Sequence, residues 1–63
     1  MKTIYLVKRL DYSKIGVSLN PHKPYHAVMD DDRGLWMVHI QTTILPVLPK
    51  NVEKVEEAEM IPS

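Results

Sequence analysis

Apolar and polar residues alternate with a period of two along much of this chain, the spacing of strands with one buried face. Thr3 to Leu10, rich in β-branched and aromatic residues, predicts a strand with Ile4, Leu6 and Leu10 on one side and Tyr5, Val7 and Arg9 on the other. After the polar stretch Asp11-Tyr12-Ser13-Lys14, the residues Ile15, Val17 and Leu19 alternate with Gly16 and Ser18 and predict a short second strand. Two prolines in Asn20-Pro21-His22-Lys23-Pro24 then interrupt regular structure, because each removes a backbone donor and fixes φ.

The strongest local signal is a hairpin from Tyr25 to Ile40 around Asp31-Asp32-Arg33-Gly34. With Asp30 opposite Leu35, one face holds Tyr25 with Ile40, Ala27 with Val38, and Met29 with Trp36, all apolar and the expected core. The other face holds Asp30 with Leu35, Val28 with Met37, and His26 with His39. A one-residue slip would mix the two sets, so the pattern itself selects the register.

Thr42 to Leu48 reads as an edge strand ending at Pro49. Pro46 and Pro49 lie three apart, so their missing N–H groups would point to opposite edges; one of them therefore marks an end or a bulge. Beyond Lys50, the positions Val52, Val55 and Ala58 recur every three residues, with Asn51 as a cap. This predicts a short 3₁₀ or α turn within residues 50–56. The tail 57–63 is then a last short strand through Met60 and Ile61, or flexible. The expected fold is all-β: one domain over 1–63, a five- to six-stranded antiparallel curled sheet or barrel. Its layout, with a long first connection, a tight acidic hairpin and a turn before a final strand, resembles SH3-like barrels; such an analogy carries no function.

Composition narrows the classes. With 44% apolar and 25% charged residues the chain has the make-up of a folded protein. A domain of 63 residues buries only about 60% of its unfolded surface, so a partner or a second copy would help stabilise it. There is no cysteine, hence no disulfide, thiol nucleophile or cysteine zinc site. Lys8 and Arg9 interrupt the first apolar run, and no stretch approaches the ~20 apolar residues of a membrane span. A cytoplasmic location is the expectation.

The net charge of zero is unevenly divided. Residues 1–29 hold five bases and one acid, +4; residues 30–63 hold three bases and seven acids, −4. Either the halves attract each other within one fold, or the surface is two-signed, with a basic face for an anionic partner.

Several sites for chemistry suggest themselves, and most recede on inspection. His22, His26 and His39 are the residue type for a zinc or nickel site or a pH-sensitive patch, but no acidic residue accompanies them at ligand spacing. Asp30-Asp31-Asp32-Arg33-Gly34 departs from a calcium loop: Arg33 precedes the glycine and Gln41 stands where the closing glutamate belongs. Pro46-Val47-Leu48-Pro49-Lys50 matches a bare P-x-x-P ligand motif, yet its apolar flanks suit a strand better. The serines and threonines lie in no nucleophile elbow, and with Gly16 and Gly34 alone there is no phosphate-cradling loop.

Catalysis and cofactor dependence are therefore not expected. The face opposite the expected core mixes His26 and His39 with Val28, Leu35 and Met37, a half-apolar surface that either suits a protein partner or a second copy, or is covered by the tail through Val52, Val55, Met60 and Ile61. The expectation is a small protein-binding module: an adaptor, an accessory subunit or an inhibitor of a larger protein, a class that includes virus-encoded inhibitors of host enzymes. The competing expectation is nucleic-acid binding by the basic first half, with Lys8, Arg9, Lys14 and Lys23 for phosphates and Tyr12 for stacking.

Overall fold

The computed structural model describes residues 1–58. It is all-β, with strands β1 (Lys2–Leu6), β2 (Leu10–Tyr12), β3 (Val17–Leu19), β4 (Pro24–Asp30), β5 (Leu35–Ile40), β6 (Thr43–Val47) and β7 (Val52–Glu57). Two 3₁₀ turns, Ser13–Ile15 and Pro49–Asn51, complete the order. Five strands form one antiparallel sheet, β6-β5-β4-β1-β7, and β2 pairs with β3 in a separate hairpin. The five-stranded sheet is open, with β6 and β7 as its edges.

The hairpin β4–β5 has the register its alternation predicts, from Asp30 opposite Leu35 to Ala27 opposite Val38. Its turn is built by Asp30, whose Oδ1 accepts the N–H groups of Asp32 (3.2 Å) and Arg33 (3.3 Å), and by Gly34 at φ +68° donating to the Asp30 carbonyl at 2.7 Å. The recorded ladder stops at Ala27, where β4 changes partner: Lys2 of β1 pairs with Ala27, Thr3 with His26, Ile4 with Tyr25 and Tyr5 with Pro24. β4 thus lies between β5 and β1 in the sheet.

The concave side holds the core. Ile4, Leu6, Leu19, Ala27, Trp36, Val38, Leu45 and Val47 are buried, with Leu10, Tyr12, Val17, Tyr25, Met29, Ile40 and Val52 packed against them. All six residues of the expected hairpin core are in this set. At about 25 cal/mol per Å² of apolar surface, each fully buried Leu, Ile or Val stabilises by roughly 1.5–3 kcal/mol.

Four expectations require correction. The first strand does not reach Leu10: it ends at Leu6, where the Val7 N–H leaves the ladder and donates to the Asn51 carbonyl at 2.8 Å. The strand count therefore rises to seven. Ile15 is not in the second strand but in the Ser13–Ile15 turn, 53% exposed, with Gly16 at φ +69° closing it. The turn expected within 50–56 falls earlier, at Pro49–Asn51, because Pro49 suits the first position of a 3₁₀ turn. Val52, Val55 and Glu57, read as turn and tail, belong to β7 instead, paired with β1 along Leu6–Val52, Ile4–Val55 and Lys2–Glu57. The expected last strand through Met60 and Ile61 lies outside the described residues.

The two prolines divide as steric logic requires. Pro49 terminates, and Pro46 sits inside the edge strand β6. The Pro46 carbonyl accepts the Tyr12 hydroxyl at 2.6 Å, so the hairpin β2–β3 reaches over the open side of β6. A donor-less residue and an occupied carbonyl together blunt this edge against strand addition.

Candidate functional site

The convex face of the sheet carries the residues singled out for partner binding. Register fixes their rows: Val28, Met37 and Pro46 cross β4, β5 and β6 in line, flanked by Asp30 with Leu35 and by His39 with Ile44. Val28 is 45% and Ile44 52% exposed, while Leu35, Met37 and His39 are half-buried. His26 is exposed on the same face, one step beyond the Ala27–Val38 pair, with Thr3 as its partner on β1, while His39 pairs with Ile44 on β6.

Ile44 and Pro46 were missed as members of this face. The stretch Ile44-Leu45-Pro46-Val47 is apolar at every position, so alternation alone cannot say which two face outward. The signal that could have done so is the two-residue connection Gln41-Thr42 between β5 and β6, which sets the register once Gln41 adopts φ +53°.

At the other end of the same face, Tyr5, Lys54 and Glu56 form a small polar cluster. Lys54 Nζ lies 2.6 Å from Glu56 Oε1 and 5.7 Å from the centre of the Tyr5 ring, and the Tyr5 hydroxyl donates to Glu56 Oε2 at 3.0 Å. The hydrogen bond from Lys54, then that from Tyr5, hold the Glu56 carboxyl below its ordinary 4.5. The same contacts raise Lys54 above 10.5 and Tyr5 above 10.0, chiefly through their hydrogen bonds with Glu56.

His22 faces another neighbourhood. It sits at φ +58° in the turn before β4, donates its N–H to the Leu6 carbonyl, and brings Nδ1 to 2.7 Å from Glu53 Oε2. Glu53 is the extra residue of a bulge in β7, between Lys54 opposite Tyr5 and Val52 opposite Leu6. Among the described residues, no three His, Asp or Glu side chains converge as a metal site would need.

The residues of the basic expectation divide between two places. Lys8, Arg9 and Lys23 are exposed near the C-terminal end of β1. Lys14 lies at the far tip of the β2–β3 hairpin, where Asp11 to Ile15 line a shallow depression of about 320 Å³. Tyr12 is half-buried, its hydroxyl held by Pro46, and burial raises its pKa above 10.0. It is a packing group and not a free stacking platform. No helix among the described residues is long and apolar enough to cross a membrane. Compared with protein-family models, curated proteins and solved structures, the chain matches none.

Proposed function

We propose that this chain is a non-enzymatic protein-binding module with an SH3-like layout, and that the convex face of β4, β5 and β6 is its contact surface. The layout rests on strand order: a hairpin inserted after β1, three strands in meander, a 3₁₀ turn and a last strand returning to β1. The observation that carries the binding reading is the row Val28–Met37–Pro46 with Ile44 beside it. Its flanks are polar, Asp30 at one end and His39 at the other, an apolar centre with a polar rim as protein contact surfaces have. Val28 and Ile44, two of the exposed large apolar side chains, are thus set beside Met37 and Pro46, where an apolar partner surface gains by covering them. An adaptor, an accessory subunit or an inhibitor all act through such a surface.

Affinity purification from the native cell, with the wild-type chain beside Met37→Asp and Ile44→Asp, tests this reading. The expected result is a co-purifying protein that both substitutions release while each variant keeps a cooperative thermal transition. A protein retained equally by all three folded chains would overturn it.

A further inference from the structure

The two edges of the five-stranded sheet are not alike. β6 contains Pro46, whose carbonyl is taken by the Tyr12 hydroxyl at 2.6 Å. β7 runs Val-Glu-Lys-Val-Glu-Glu without proline, and among the described residues no strand pairs with its outer side. Its inner ladder shows which backbone groups that outer side offers. The Ala58 N–H donates to the Met1 carbonyl at 3.3 Å, and along an antiparallel ladder bonded pairs alternate with unbonded ones. Glu56 opposite Thr3 and Lys54 opposite Tyr5 therefore turn their N–H and C=O groups toward β1. Val55, opposite Ile4, and Glu57, opposite Lys2, turn theirs outward.

From this edge we propose that two copies of the chain pair antiparallel along β7, about a two-fold axis at Val55, and join their sheets into one. The Val55 N–H and C=O groups then bond reciprocally across the axis, and the two valine side chains, each 42% exposed in the single chain, cover one another. Lys54 stands opposite Glu56 of the second copy, and Glu56 opposite its Lys54, as close cross-strand pairs of opposite charge. Each copy already holds Lys54 Nζ 2.6 Å from its own Glu56, so the contact completes an alternating ring of two ammonium groups and two carboxylates.

Charge selects both the occupant and the register. Pairing centred on Lys54 sets lysine against lysine, and pairing centred on Glu56 or Glu57 sets glutamate against glutamate. Only the Val55-centred register matches opposite signs beside the axis, and a second copy supplies the matching alternation by symmetry. At the ends of the contact Glu53 meets Glu57 of the second copy. That repulsion is lessened by groups of the same chain: His22 Nδ1 lies 2.7 Å from Glu53, and Lys2 stands across the ladder from Glu57. The row Val28–Met37–Pro46 stays open in both copies, because β4, β5 and β6 lie on the far side of β1 from β7.

Sedimentation velocity of the intact chain, taken up to about 1 mM because so small an interface associates weakly, is expected to show reversible dimers. Lys54→Glu sets a carboxylate against Glu56 of the second copy, and Glu56→Lys sets an ammonium against its Lys54. Each change alone is expected to weaken association about tenfold or more. An equimolar mixture of the two variants restores opposite charges across both pairs and is expected to recover dimers containing one copy of each. Val55→Pro removes an N–H that the β1 ladder does not use, so it is expected to keep the thermal transition and lose the dimer. A monomer at every concentration overturns the proposal, as does a mixture of the charge variants that stays monomeric, or a dimer that persists in folded Val55→Pro. Dimers released by Met37→Asp and not by Lys54→Glu overturn it in favour of self-association through the convex face.

Discussion

Two rows of side chains cross the same three strands one residue apart and meet opposite fates. Ala27, Val38 and Leu45 line the concave side and are buried to 2% exposure or less. Val28, Met37 and Pro46 line the convex side and remain exposed or half-buried. Their chemistry barely differs, since both rows are wholly apolar. The pleat sends alternate residues to opposite faces, and the curl of the sheet then decides which face closes on itself. In a domain this small only one face of the sheet can be filled, so the second row stays in contact with water.

The sharpest way to break the comparison uses Leu45 and Ile44, isomeric side chains at adjacent positions of β6. Leu45, 2% exposed, is expected to lose about 2–5 kcal/mol on change to Ala, enough to leave a large fraction of such a small domain unfolded. Urea denaturation monitored by Trp36 fluorescence checks it. Next in size is Tyr12→Phe, which deletes the hydroxyl that closes the β6 edge. Its expected cost is about 0.5–1.5 kcal/mol, together with faster amide exchange around Ile44 and Val47 by NMR. Ile44→Ala, at 52% exposure, is expected to change stability by no more than about 0.5 kcal/mol in the same urea assay. If Ile44→Ala and Leu45→Ala were equally costly, the two rows would not be a core and a surface.

The smallest effect concerns the polar end of the convex face. Glu56 has its carboxyl pKa lowered by Lys54 and Tyr5, so its contribution to stability is present above the ordinary carboxyl value of 4.5. That contribution is lost as pH falls through the lower folded value. Lys54 and Tyr5 titrate above their ordinary values, so their share is present below about 10 and lost as pH rises through the folded values. Glu56→Gln is expected to flatten both limbs slightly in melting temperature against pH, without altering the neutral plateau by more than a surface substitution does.

How much of this was legible beforehand differs along the chain for identifiable reasons. Ala27, Trp36 and Val38 could be placed in the core because Asp30-Asp31-Asp32-Arg33-Gly34 carries its own turn chemistry and a register slip would bury His26 or Asp30. Val52 and Val55 misled because a spacing of three fits one helical turn, and the strand they form instead exists only because β1 offers it an edge. Ile44 and Pro46 were hidden by an apolar run without alternation.

Alternation and turn residues, read along the chain, determined that this protein is all-β, which hairpin leads, and which side of that hairpin is buried. Those are local properties: side-chain direction follows from the pleat, and turns follow from the φ values that Gly34 and Asp30 accommodate. Tertiary structure alone decided which strand pairs with β1, which proline guards the edge, and that Asn51 lies against Val7. Each of these depends on backbone groups far apart in sequence finding partners when the sheet curls, as Val7 finds Asn51 and His22 finds Leu6. No short-range pattern encodes a hydrogen bond whose two ends lie more than a dozen residues apart, because the need to satisfy a buried backbone group names no particular partner.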